Sequence, residues 1–223
     1  MRWRSGLTPF WSPAEIAAAI DIVVPHLADR GVLAYPTETV YGFGTMVDFE
    51  SVEKLVVLKR RPPAKPFLLL VSDSTMLGRI GLTLSAQAAR LAARHWPGPL
   101  TLVLPGGEGQ VPPRLRGPEG GIAVRWTPHP GLQRLISALG SPLTSTSANR
   151  PGVPPAMRAG EVVEQWPAEI NRGLLMVLDG GGLPPSPPST VVDCTGRRLR
   201  VIRPGAISAA ILRESVPDLL GDA

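Results

Sequence analysis

The sequence predicts a single α/β domain, a twisted mixed sheet flanked by helices. Three observations carry this. The chain has 223 residues, enough for one sizeable core. Short apolar runs of strand length are interspersed with stretches at helical spacing. The alternation is irregular and shows no internal repeat, which suits a mixed sheet better than a regularly doubly wound one. The expected domain spans 12–213, after an N-terminal segment at 1–11 and before a frayed tail at 214–223.

Each element has a local reason. Ser12-Pro13-Ala14-Glu15 joins an N-cap serine, a proline at the first helical position and a glutamate three after the cap. That helix should run to about Asp29, with Gly31 as its stop. Val32–Tyr35 reads as a short buried strand ended by Pro36, and Thr37–Gly42 as an ordered loop. Ser51 to about Arg60 carries Val52, Leu55, Val56 and Leu58 near helical spacing. Phe67–Val71 is a continuous apolar run, hence a central strand. Ser85–His95 reads as a helix closed by Trp96-Pro97-Gly98-Pro99, and Leu100–Leu104 as the next strand. The Gly/Pro-rich stretch 106–120 reads as a surface loop. Ile122–Trp126 is a strand, Pro130–Leu139 a helix and Leu143–Thr146 a strand.

Further on, a helix is expected around Glu161–Trp166 and a strand at Leu174–Leu178. The run 179–188, with three glycines in succession and four prolines, reads as a long mobile loop and a candidate lid. Two strands, Ser189–Cys194 and Arg198–Ile202, flank Thr195-Gly196-Arg197, a hairpin signal. A last helix covers about Ser208–Arg213.

Composition narrows the class. Net charge is +5, which suits an anionic partner such as ATP or RNA, although only 18% of residues are charged. There are three lysines against twenty arginines, and two of the three lysines fall between positions 59 and 65. A single cysteine, Cys194, excludes an internal disulfide framework and a cysteine metal cage. In an apolar strand it reads as an inert core residue. No apolar run approaches the length of a membrane span and the start carries no apolar signal run, so a cytoplasmic protein is expected. No Gly-x-x-x-x-Gly-Lys-Ser/Thr loop occurs, and His26, His95 and His129 stand isolated.

Two polar clusters remain. Lys59-Arg60-Arg61-Pro62-Pro63-Ala64-Lys65-Pro66 gathers cationic donors at a helix-to-strand junction. Ser145-Thr146-Ser147-Ala148-Asn149 gathers neutral hydrogen-bonding groups at a strand end. Together they suit a polyanionic small molecule such as a nucleoside triphosphate. Neither contains a nucleophile–base pair or a metal-ligand set, so catalysis by positioning and charge is expected. Read alone, each cluster also fits a plainer role: favourable charge in a last helical turn, or a turn and cap.

The order of motifs resembles the YrdC-like family of threonylcarbamoyl-adenylate synthases, in its single-domain branch. The matching stretches are Tyr35-Pro36-Thr37-Glu38-Thr39-Val40-Tyr41-Gly42, Lys59-Arg60-Arg61-Pro62, Trp96-Pro97-Gly98-Pro99-Leu100-Thr101 and Val124-Arg125. They continue with Ser145–Asn149, Ser189-Thr190-Val191-Val192-Asp193 and Ile202-Arg203-Pro204-Gly205. The resemblance implies a YrdC-like catalytic domain with a large concave basic cavity. It implies a nucleotidyltransferase that joins L-threonine, bicarbonate or CO2, and ATP, giving threonylcarbamoyl-AMP and pyrophosphate. Mg2+ would travel with ATP. A partner complex would then transfer the group to tRNA beside the anticodon.

It also implies roles for residues. Lys59 and Arg61 are the expected catalytic cations. The ATP side is expected to hold Lys59, Arg61, Lys65, Ser145, Ser147, Asn149, Pro155 and Arg203. The threonine side is expected to hold Thr37, Arg125 and Ser189, with Arg125 clamping the carboxylate. No metal ligands are expected. Leu70 stands where some two-domain relatives carry a histidine near threonine, so that contact is absent. The competing reading is a non-catalytic family member that binds RNA directly and acts in tRNA or ribosome maturation.

Overall fold

The computed structural model describes residues 7–60 and 65–221. Among these, ten strands form one sheet: β1 (Leu7–Pro9), β2 (Val32–Tyr35), β3 (Gly42–Gly44), β4 (Leu68–Val71), β5 (Leu100–Leu104), β6 (Ile122–Trp126), β7 (Leu143–Ser147), β8 (Leu175–Asp179), β9 (Thr190–Asp193) and β10 (Arg200–Arg203). Their spatial order is β1-β8-β2-β3-β7-β4-β6-β5-β9-β10, with parallel and antiparallel pairs mixed. The helices are α1 (Pro13–Ala28), α2 (Phe49–Lys59), α3 (Thr75–Arg79), α4 (Ala86–His95), α5 (Pro130–Leu139), α6 (Ala159–Gln165), α7 (Pro167–Asn171) and α8 (Ala209–Arg213).

Local chemistry accounts for most boundaries. Ser12 and Glu15 form the expected capping box at the start of α1, and Ile16, Ala19, Val23 and Leu27 bury one helical stripe. Its end differs from expectation. Arg30, not Gly31, takes the left-handed conformation, at φ 62°. Gly31 serves by lacking a Cβ, which would sit 2.2 Å from the His26 ring. Asp48 caps α2 by accepting from Ser51 N at 2.9 Å.

The domain is larger than 12–213. Leu7–Pro9 pairs in parallel with β8, and Phe10 is 2% exposed in the core, so the N-terminal segment contributes a strand. The tail expected to fray is packed from 214 to 221: Val216 and Leu219 are buried, and Leu220 bridges Arg200. The loop 106–120 is no mere surface excursion, since Val111 and Leu115 are buried. Strand β3 was missed because two of its three residues are glycine, which carries little strand signal. A Cβ at Gly44 would lie 2.2 Å from Thr144 O, so glycine is what lets β2, β3 and β7 approach.

Candidate active site

Strand alternation builds the site. In a strand, residues two apart face the same side. The register pairs Leu70 with Arg125, Leu68 with Ser145, and Gly42 with Ser147. It also pairs Leu102 with Val124, which leaves Thr101 on the same face as Ala123 and Arg125. One face of the sheet therefore presents Thr101, Arg125, Ser145 and Ser147. The opposite face presents Leu69, Val124 and Leu102 to the core. The polar face floors a cavity of about 580 Å³, closed at its sides by Thr37, Pro155, Ser189 and Arg203.

The cavity brings together Thr37, Arg125, Ser145, Ser147, Pro155, Ser189 and Arg203 of the expected site residues. Arg125 is 4% exposed, its Nη1 lies 3.1 Å from Glu38 Oε1, and its buried Nε makes no hydrogen bond. A buried guanidinium that keeps a donor free has the chemistry to bond a carboxylate or phosphate oxygen. Arg203 reaches in from the end of β10 and donates to Ser189 O at 2.8 Å and Ser189 Oγ at 3.0 Å. Burial, and then nearby Arg125, hold its pKa below the ordinary arginine value. The Ser189 hydroxyl is further tied to Thr101 Oγ1 at 2.9 Å.

The other expected residues lie as follows. Neither Lys59 nor Asn149 lines the cavity. Lys59, 7% exposed, donates instead to Ser147 O at 2.7 Å, to Asn149 Oδ1 at 2.9 Å and to Asn149 O. Asn149 Oδ1 also accepts from Ser147 Oγ at 2.6 Å. The two motif clusters thus meet each other, and the Lys59 ammonium sits beneath the turn that carries Ser147. Lys65 is exposed and lies one residue before the cavity-lining Pro66. Arg61 falls outside the described residues. The Thr37 hydroxyl is drawn into its own loop, donating to Val40 O at 2.7 Å and accepting from Thr39 N and Val40 N.

The stretch 179–188, expected to be mobile, is pinned at several points. Gly181 O accepts from Tyr41 Oη at 2.9 Å, Leu183 N donates to Met157 O, and Ser186 Oγ donates to Glu38 O at 3.1 Å. Burial raises the Tyr41 hydroxyl to about 12, so it stays a donor. Ser186 and Pro188 line the cavity, so this stretch forms one of its walls.

Glu38 was missed by sequence reasoning. The signal that could have found it was an acid between two threonines in a loop facing a strand-end arginine. No group of three or more His, Cys, Asp or Glu among the described residues could hold a metal ion. The cavity's lining includes two arginines, Arg125 and Arg203, and a set of serine and threonine side chains.

Comparison with known proteins adds a family. The Sua5/YciO/YrdC family model, described as telomere recombination, matches residues 26–205. A threonylcarbamoyl-AMP synthase of Chromohalobacter salexigens is 40% identical over 191 residues, covering 83% of this chain and 98% of its own. A protein of the same name from Marinobacter nauticus is 37% identical over 172 residues, covering 76% and 88%. Among solved structures, P. abyssi Sua5 complexed with L-threonine aligns with a TM-score of 0.86 at 29% identity over 96% of this chain. This chain spans 62% of that protein's length. E. coli YciO aligns at 0.77 and 26% identity, over 92% of this chain and 97% of its own.

Proposed function

The chain belongs to the Sua5/YciO/YrdC family, and on that premise we propose that it is a threonylcarbamoyl-AMP synthase. It is an enzyme, a transferase, that joins L-threonine, bicarbonate or CO2, and ATP, and releases pyrophosphate. The class of transfer is nucleotidyl transfer. The observation that carries the reading is the convergence of Arg125, Ser145, Ser147, Ser189 and Arg203, from three strands and an adjoining loop, on one cavity.

The chemistry needs no enzyme nucleophile. The neutral amine of threonine adds to CO2, forming an N–C bond and giving a carbamate as one proton is lost. A carbamate oxygen then attacks the α-phosphorus of ATP. The bond from that phosphorus to the bridging oxygen breaks, and pyrophosphate leaves. Two mutually repelling anions must be held in contact, so fixed cations and donors supply the rate. Arg125 takes the threonine carboxylate. Thr37 shapes the threonine side through its loop, and Ser189 stands between the two arginines. Arg203 faces the phosphates, and Arg61 and Lys65, which precede β4 in the sequence, would be its companions. Ser145, Ser147 and Pro155 bound the nucleotide. Lys59 and Asn149 hold the turn in which Ser147 sits, a positioning role in place of direct phosphate contact. Mg2+ would be carried by the triphosphate, whose oxygens suit this hard cation. The wall formed by 180–188 would exclude water, which hydrolyses both the carbamate and the mixed anhydride.

The product would pass to a complex that modifies tRNA, in the cytoplasm. Among the described residues no helix is long and apolar enough to cross a membrane. Purified protein should release pyrophosphate only when ATP, threonine and bicarbonate are all present. Release independent of threonine, or none at all, overturns the reading.

A further inference from the structure

Two arginines enter one cavity, and their surroundings differ in sign. Arg125 is balanced by Glu38, whose carboxylate is 19% exposed and 3.1 Å away. Glu38 Oε1 makes no hydrogen bond, so the ion pair alone holds it there. Among the described residues its Oε2 accepts one hydrogen bond, from Thr127 Oγ1 at 3.5 Å. Arg203 has no acid partner among the described residues; its guanidinium donates to the neutral Ser189. The reaction meanwhile brings two unlike anions to this cavity. One is a monoanionic carboxylate and the other a polyphosphate with several charges.

We propose that Glu38 sorts these two anions. The proposal rests on the synthase reading above. By offsetting Arg125 it leaves that guanidinium with geometry but little net charge, which suits a single carboxylate making directed hydrogen bonds. A polyphosphate at the same place would meet the partly buried Glu38 charge, with a repulsion that grows with each charge it carries. The unbalanced Arg203 is then the favoured seat for phosphate. Specificity arises here from a repulsive element as much as from an attractive one. Without Glu38 both anions would compete for Arg125, and pyrophosphate, the product, would block threonine. Glu38 acts through Arg125 and is a positioning residue, not a catalytic one.

Calorimetric titration of threonine, with and without saturating pyrophosphate at constant magnesium, tests this on the whole chain. In the native protein, pyrophosphate should leave threonine affinity unchanged within about two-fold. In Glu38→Gln, threonine alone should still bind, but pyrophosphate should weaken it by roughly ten-fold or more. Glu38→Asp should restore the native pattern. Equal competition in native and Glu38→Gln proteins overturns the proposal. So does loss of threonine binding in Glu38→Gln with no gain in pyrophosphate competition, which marks a merely structural ion pair. Should Glu38→Gln not fold, the native titration decides alone: ten-fold competition there overturns the sorting. None of these readouts needs turnover. A native protein that binds as described but releases no pyrophosphate would sink the synthase reading and leave the sorting intact.

Discussion

Two concavities of similar size lie on this molecule, and they differ in what their cations are doing. The cavity of about 580 Å³ over the sheet holds Arg125, which is 4% exposed and has an unmade buried donor. The second, about 650 Å³, lies between α2 and the α6–α7 region. There Arg150 donates to Gln165 O and stacks on Trp166 at 4.3 Å. Arg172 is 70% exposed, with Glu169 at 3.9 Å. Among the described residues, its buried atoms without a hydrogen bond are Trp166 Nε1 and Glu169 Oε2, and neither belongs to a cation. The contrast teaches that volume does not make an anion site. What makes one is a cation kept from water with hydrogen bonds left to give.

The largest effect should come from the first cavity. Arg125→Ala removes one partner of a buried charge pair, a change of roughly 2–5 kcal/mol in such settings. Threonine-dependent kcat/KM should fall by about 10² to 10³. Arg125→Lys should not rescue it, because lysine lacks the planar fork. Near-native kinetics in either variant would break the comparison at its root.

Next is Lys59→Met. It deletes a buried cation that bonds three oxygens of the Ser147–Asn149 turn, at roughly 1.5–3 kcal/mol per charge-assisted bond in isolation. We expect kcat/KM to fall about 10²-fold together with a clear drop in thermal midpoint. Activity lost with an unchanged midpoint would instead mean that Lys59 touches phosphate directly.

A smaller effect belongs to the start of α5, which His129 caps. Burial lowers the pKa of His129, whose Nδ1 accepts from Leu132 N and whose ring stacks on Phe10 at 5.7 Å. The folded state binds its proton less readily than the unfolded chain. Stability is therefore whole above the unfolded value, about 6.5, and is lost as pH falls through the lower folded value. Melts at pH 7.5 and 5.5 should show the loss, and His129→Asn should reduce it, the remainder belonging to His95, whose pKa burial also lowers. Glu15 and Glu161, whose pKa values hydrogen bonds hold below the ordinary 4.5, act only in more acid solution. A midpoint rising on acidification would contradict the assignment.

The smallest effects should sharpen the contrast from the other side. Phe49→Ser and Val57→Ser, in the second concavity, alter side chains that are 63% and 74% exposed. Turnover should stay within about two-fold, as for surface changes worth about 0.5 kcal/mol. A ten-fold loss would make that concavity part of the catalytic apparatus. Cys194 should likewise resist alkylation in the native protein, since burial pushes its thiol up to about 12.

Local chemistry determined much of this protein from sequence alone. The strands Val32–Tyr35, Leu100–Leu104 and Ile122–Trp126 and the helix Pro130–Leu139 match to the residue, because apolar runs, caps and prolines act within a few positions. The motif residues of Arg125, Ser145, Ser147, Ser189 and Arg203 were likewise legible, since their types and order carry the family resemblance. Tertiary structure alone decided three things. It set Lys59 under the Ser147–Asn149 turn, some ninety positions along the chain. It brought Glu38 onto Arg125, and it drew Leu7–Pro9 into the sheet beside β8. Each depends on a partner distant in sequence. A charge or a strand edge carries no local mark of whom it will meet, and only the closed sheet chooses.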